Sequence, residues 1–229
     1  MMIVRNGGRF LGPAIDSVLA QTSPAAEILV VDGASTDDTA EVANERGVQV
    51  VQQPGTGIAD ARNHGIASTT GAFVAFLDHD DRWSPRKLER QLDALATTRA
   101  GYCVTSLQRA VANGAALHPV LESRAATGPV IGLTPSTLLI RRTALDRVGP
   151  FDPTHGHGCD MEWFARAQDL DVSRHELGEV LVEKLLHDRN TSIDAAGTKR
   201  ELLRIVRLAA AMVSREIEVD VARLDSRAA

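Results

Sequence analysis

The chain is short of several things that a 229-residue sequence can carry, and each shortage closes off a class of protein. It holds only two cysteines, Cys103 and Cys159, far apart and without C-x-x-C spacing. No disulfide framework is expected, and a reducing compartment is. Aromatic residues make up 3% of the chain, too few for a base-stacking platform. Lys and Arg number 25 against 30 Asp and Glu, a net charge of −5, so no basic face for nucleic acid is expected. No apolar run approaches the roughly 18 residues of a membrane-spanning helix. No charged leader followed by an apolar stretch opens the chain, so no secretory signal is expected. These absences point to a soluble cytoplasmic protein, with peripheral membrane contact left open. Internal repeats and low-complexity tracts are also missing.

What is present is enough apolar material for a real core, 44% of residues, and an alternating order of elements. Phe10, Leu11, Ala14, Ile15, Val18 and Leu19 have helical spacing. Ile28 to Val31 reads as a buried strand. Ser35-Thr36-Asp37-Asp38 supplies caps and early acids for a helix that runs to Arg46 and stops at Gly47. Val48 to Val51 is a second strand, Ile58 to Ser68 a helix, Phe73 to Leu77 a strand, and Ser84-Pro85 starts a helix reaching Thr97. Such alternation predicts an α/β fold with a mostly parallel central sheet and helices on both faces. Further on, Tyr102–Arg109, Thr137–Ile140 and Leu177–Leu186 read as strands, 122–135 as a loop and Asp160–Asp169 as a helix. One domain over 1–195 is expected, with a nucleotide-binding half (1–100) and an acceptor-side half (101–195). A long helix in 196–229 carries Leu202, Ile205, Val206, Ala209, Met212 and Val213 on one stripe, a packing or homodimer surface. Only Met1 to Val4 is available for the first strand. Either that strand is cut short or the start lies upstream.

The densest chemistry follows Phe73-Val74-Ala75-Phe76-Leu77, where Asp78, Asp80 and Asp81 crowd into four positions. Open α/β sheets bind ligands at the carboxyl ends of their strands. Crowded carboxylates repel, which a cation would relieve, and oxygen ligands suit Mg²⁺ or Mn²⁺, which can in turn hold a diphosphate. The competing reading is a solvated Asp-rich turn. Asp32 ends another strand, where an acid can accept from a base or a ribose hydroxyl, or simply lead into a helix cap. Gly57 to Gly65 is a glycine loop entering a helix that bears Arg62, which suits a phosphate or a plain surface arginine. Asp160 and Glu162 open a helix behind Gly156-His157-Gly158. A carboxylate there fits a general base or an ordinary first-turn acid. His155 and His157 lack zinc-site spacing. His187 follows the last strand, as a metal or phosphate contact or as a surface histidine.

Taken in order, these segments resemble glycosyltransferase family 2, a GT-A fold family, over residues 3–192. The match is carried by Asn6-Gly7-Gly8 and the helix to Thr22, by Val31-Asp32-Gly33-Ala34-Ser35, by Ala61-Arg62-Asn63-His64-Gly65, by Asp78-His79-Asp80 at the D-x-D position, by Asp160, and by His187 with Asn190 and Ser192. The resemblance implies an inverting, divalent-metal-dependent transfer of a sugar from a nucleotide-sugar donor, a UDP-sugar first, to an acceptor hydroxyl. It implies that Asn6, Asp32, Arg62, Asp78 and Asp80 bind the donor and that Asp78, Asp80 and His187 hold Mg²⁺ or Mn²⁺. Asp160 is implied as the base, with Glu162 able to share or replace it. The acceptor class stays open between lipid carrier, glycan, natural product and protein. The chain departs from the family pattern at Ile3-Val4-Arg5-Asn6, at Gly33 where a second acid is common, and at Cys159 where Glu is common. The short start and Gly33 motivate a second reading, a nucleotide-sugar-binding homologue without transfer activity. A nucleotidyltransferase ranks third.

Overall fold

The computed structural model describes residues 1–112, 115, 117, 121–122, 125, 127–188 and 190. The expected helix in 196–229 and Ser192 lie outside the described residues.

The fold is organised around the run Phe73–Asp78. It comprises β4 (Phe73–Ala75) and β5 (Leu77–Asp78), separated at Phe76. Along one edge β5 runs parallel to β1 (Met2–Val4), which continues to β2 (Leu29–Asp32) and β3 (Gln49–Gln52), all parallel. Along the other edge β4 runs antiparallel to β9 (Leu139–Arg141), followed by β7 (Tyr102–Val111), β10 (Arg174–Leu186) and β6 (Arg82–Trp83). The run therefore joins a parallel sheet to a mixed one. Its side chains alternate between two cores, as a strand's period of two requires. Phe73, Ala75 and Leu77 pack with α1 (Gly8–Leu19) and α4 (Lys87–Thr97) through Leu11, Ile15, Val18, Leu88 and Leu95. Val74 and Phe76 pack on the other face with Tyr102, Phe151, Trp163 and Phe164. Burial on both faces, expected from the continuous apolar run, is what the structure has.

The early helices fall where apolar spacing puts them. On α1, Leu11, Ala14, Ile15 and Val18 form the buried stripe. α2 (Thr39–Asn44) is shorter than expected and is closed by Gly47 at φ +67°. α3 (Ile58–Ala67) lies tight on the sheet because Gly65 has no side chain; a Cβ there would collide with Met1 and press on Val31.

From Arg82 onward the structure departs from expectation at several elements. α4 begins at Lys87, because Arg82–Trp83 first pairs antiparallel with β10. The supposed loop 122–135 contains β8 (Val130–Ile131), an antiparallel partner of β7. A 3-10 turn at Pro135–Thr137 delays β9 to Leu139. α5 (Arg142–Val148), not expected from the sequence, is a seven-residue helix that buries Ala144, Leu145 and Val148 and is ended by Gly149 at φ +88°. α6 (Cys159–Asp169) matches the expected helix within one residue. Among the described residues, no helix is long and apolar enough to cross a membrane.

The core also encloses a lysine. Lys87 is fully buried; its Nζ donates to Gln91 Oε1 at 2.7 Å and lies 4.1 Å from the centre of the Trp83 ring. Burial pushes its ammonium down to about 7, with no carboxylate partner to oppose it. An unfolded lysine titrates near ~10.4, so the unfolded chain binds more protons between those values and stability rises with pH across that window. Lys87→Met removes this proton linkage. It also orphans Gln91 Oε1, at a cost of about 1–3 kcal/mol that does not vary with pH. The slope is therefore the readout. Urea unfolding from pH 7 to pH 10 is expected to show the wild type gaining stability on the variant as pH rises. Parallel curves would contradict a neutralised Lys87.

Candidate active site

Register brings the expected residues together. Val4 pairs with Asp32 and Ile3 with Asp78, so the carboxylates of Asp32 and Asp78 flank the end of β1. This is the carboxyl edge of the parallel strands, where such sheets bind ligands. Asp32 is buried and held in place: Ser35 Oγ donates to Oδ1 at 2.5 Å and Gln52 Nε2 to Oδ2 at 3.1 Å. Asn6 closes the same corner from β1. It sits at φ 53°, a left-handed conformation Asn tolerates, and its Oδ1 accepts from Thr36 N at 2.8 Å while its own N–H donates to Ser35 Oγ at 2.8 Å. Gly7 leaves room for the His79 ring, which a Cβ at that position would strike.

The acid cluster is divided among different counter-charges. Asp78 receives Arg62 Nη2 and Lys184 Nζ, each at 3.6 Å. Asp80 Oδ2 receives His187 Nε2 at 3.0 Å and Asn190 Nδ2 at 3.2 Å. Burial would raise the Asp80 carboxyl, but the His187 hydrogen bond and the nearby His79 and Lys184 outweigh it and hold it down to about 2. Asp81 turns inward. Ser136 Oγ donates to it at 2.7 Å, Leu185 N at 3.3 Å and Lys184 Nζ at 3.3 Å. Full burial, with Asp78 and Asp80 adding to it against the pull of Lys184, raises Asp81 to about 7. His187 is buried, stacked on Phe10 with ring centres 4.2 Å apart, which fixes its ring toward Asp80.

Asp160 joins this cluster through Arg62, whose side chain is only 4% exposed. Arg62 Nη1 pairs with Asp160 Oδ1 and lies 3.5 Å from Cys159 Sγ, and the guanidinium sits over the Phe151 ring. Burial and the charge of Asp78 raise the Asp160 carboxyl, against the pull of Arg62. Asp160 Oδ2 has no hydrogen-bond partner among the described residues, and the side chain is 21% exposed. Glu162 is placed differently. Arg166 takes both of its oxygens, Nε to Oε1 at 2.7 Å and Nη2 to Oε2 at 2.9 Å. The same guanidinium donates to the carbonyls of Val148 and Pro150, so the pair fastens α6 to the end of α5.

Three contributors escaped the reading of the sequence. Asn63 clamps the Phe151 backbone from both sides, Nδ2 to O at 2.8 Å and Oδ1 from N at 2.9 Å, and so seats the ring beneath Arg62. Ser136 ties Asp81 to the backbone N–H of Asp78. Lys184 is the third. Its one signal is a charged pair, Glu183-Lys184, set between the apolar stretches Val180-Leu181-Val182 and Leu185-Leu186.

Among the described residues, no group of three or more His, Cys, Asp or Glu side chains is arranged to hold a metal alone. Mg²⁺ and Mn²⁺ sites that serve phosphates commonly use one or two protein carboxylates and take the remaining ligands from substrate and water. Asp80, with Oδ1 unpartnered among the described residues, fits that mode, and His187 Nε2 beside it holds the carboxylate in place.

An α/β sheet with acids at its parallel strand ends, and a buried arginine linking them to a helix-borne carboxylate, places a polar site where open α/β sheets bind their ligands. The chain belongs to glycosyl transferase family 2, whose sequence model matches residues 1–164. It is 34% identical over 218 residues to an uncharacterized glycosyltransferase of Nostoc sp., covering 86% of this chain and 66% of that protein. It thus spans just under two thirds of that relative's length. Mannosyltransferase PcManGT from Pyrobaculum calidifontis, solved with GDP-Man and Mn²⁺, superposes with a TM-score of 0.70 at 19% identity, over 91% of this chain and 62% of that one. S. aureus TarS 1–349 in complex with UDP gives 0.68 at 17% identity, over 92% and 63%. At such identities the likeness establishes the GT-A fold.

Removing Arg62 leaves two partly buried carboxylates without their shared cation, a class of loss worth about 3–5 kcal/mol. Arg62→Ala is expected to lower unfolding free energy by that order at pH 7, and by less at pH 4.5, where the orphaned acids take up protons. Chemical denaturation at both pH values checks this; an equal loss at both would argue that packing on Phe151 dominates.

Proposed function

We propose that this chain transfers a sugar from a nucleotide-sugar donor to an acceptor hydroxyl, with inversion at the anomeric carbon. Asp160 is the base of this reading and UDP its first-choice nucleotide. The observation that carries it is the unpartnered Oδ2 of Asp160, held at the cleft one guanidinium away from the strand-end acid Asp78. Arg62 fixes the position of the carboxylate through Oδ1 and leaves the other oxygen to accept a proton. Glu162 has no such oxygen, which favours Asp160 between the two. The acceptor oxygen attacks the anomeric carbon as the bond to the diphosphate oxygen breaks, and the acceptor proton goes to Asp160 Oδ2. Inversion follows from that single displacement.

Asp32 and Asn6 form the corner that takes the nucleoside, with Asp78 at the ribose end of the diphosphate. Asp80 and His187, with Asp78 within the same cluster, are the groups that would hold Mg²⁺ or Mn²⁺. A bound ion would supply charge stabilisation to the departing diphosphate. The Mn²⁺ and GDP-Man in PcManGT and the UDP in TarS support a metal-assisted nucleotide-sugar reading.

Asp160→Asn should reduce transfer by several orders of magnitude while nucleotide affinity changes little. The wild-type kcat should rise with pH along a limb centred above the ordinary aspartate value of about 3.9, because burial raises this carboxyl and the base must be deprotonated. Turnover preserved in the Asn variant would sink the base assignment. Asp80→Ala should abolish the gain in UDP affinity that Mn²⁺ confers on the wild type, measured by calorimetry. UDP binding without hydrolysis or transfer to any acceptor would favour the binding-homologue reading instead.

A further inference from the structure

The reading above gives one half-buried cation, Lys184, no part in binding the donor. Lys184 projects from β10 toward the acids, while its neighbour Glu183 points the other way to Arg82. Its ammonium carries three N–H donors. Two face carboxylates, Asp81 Oδ2 at 3.3 Å and Asp78 Oδ2 at 3.6 Å, and no third partner is found among the described residues. Asp81 is completely buried and anchored by Ser136 and Leu185, so the inner end of this pairing is fixed. Lys184 itself is 26% exposed, and Asp78 beside it 27%, so the outer side of the ammonium opens to the cleft. A lysine needed only to neutralise Asp81 would not have to reach the half-buried, strand-end Asp78.

We propose that Lys184 is a donor-binding residue whose remaining N–H contacts the diphosphate of the nucleotide, so that part of diphosphate binding is independent of metal. The proposal rests on the nucleotide-sugar reading. A fixed ammonium is a point charge that suits phosphate oxygens, and its position costs little to organise because Asp81 already holds it. Asp78 then has two cationic neighbours and serves chiefly to orient them, while Asp80 and His187 remain the groups suited to the ion.

The test uses the whole chain and titrations with UDP, GDP, inorganic pyrophosphate and uridine, each in Mn²⁺ and in EDTA. Lys184→Met is expected to weaken UDP on the order of tenfold in EDTA, the loss of one charge-assisted hydrogen bond, and to leave uridine unchanged. Lys184→Arg should restore part of the loss. Because Lys184→Met leaves Asp81 buried without its cation, the double variant Lys184→Met/Asp81→Asn is the control for folding. It should show the same UDP deficit with a recovered melting temperature. UDP affinity unchanged in both variants overturns the proposal and leaves the functional reading standing. Equal losses for UDP and uridine also overturn it, since they would mean that Lys184 acts only by holding Asp78. A wild-type chain that binds none of UDP, GDP and pyrophosphate in Mn²⁺ overturns both.

Discussion

Everything at this cleft depends on how the carboxylates at the end of Phe73–Asp78 are neutralised. Two unit charges ~4 Å apart at the edge of a protein interact by about 4 kcal/mol, enough to unfold much of a marginal domain if left unopposed. The chain opposes them with groups drawn from remote parts of the sequence: the cations Arg62 on α3 and Lys184 on β10, and the hydrogen-bonding imidazole of His187 beyond it. Each partner lies on an element that the packing of the sheet already fixes. The electrostatic need and the topology are thus satisfied by the same contacts.

The three acids are adjacent in sequence but not equivalent. β5 ends at Asp78, and the turn that follows it sends Asp80 and Asp81 in different directions. Asp81 points into the interior and becomes an anchor, held by Ser136 and Leu185. Asp80 meets His187 and Asn190, and Asp78 meets Arg62 and Lys184. Their surroundings then separate their proton affinities: against the effect of burial, the His187 hydrogen bond and nearby charges hold Asp80 down to about 2, while full burial raises Asp81 to about 7. Two carboxylates one residue apart end up with different chemistry because one accepts from an imidazole and the other is enclosed.

Much of this was legible without coordinates where the signal is local. The apolar spacing of α1, the β-branched run of β2 and the run into Asp78 are local patterns, and their elements fall within a few residues of expectation. The placement of Asp32, Asp78 and Asp80 at strand ends follows from the same runs. What was not legible depends on partners far away. Arg82–Trp83 is a strand only because Val182 and Glu183 are there to pair with it. β8 exists because β7 overhangs it, and β10 begins at Arg174 although its first residues alternate in and out of solvent with no apolar run. The contrast between Asp160 and Glu162 could not be read from the sequence, since both acids open one helix. It is decided by Arg166, one turn further on, which claims Glu162, and by Arg62, 98 residues earlier, which claims Asp160.

The pairing of Arg62 with both Asp78 and Asp160 ties the end of β5 mechanically to the start of α6. A guanidinium is planar, with its donors in a fixed fork, so the direction of one ion pair constrains the other. Phe151 supports the plane from below, and Asn63, the next residue along α3, fixes the Phe151 backbone by two hydrogen bonds. The carboxylate on α6 is thereby referenced to the end of β5 through three rigid steps, none of them a free rotor. Orientation of this kind is what a displacement reaction requires, because a nucleophile and a leaving group must be aligned on one axis before charge moves. The Ala-Arg-Asn run in α3 is best understood as this bracket: Arg62 carries the charge and Asn63 holds the surface on which it rests.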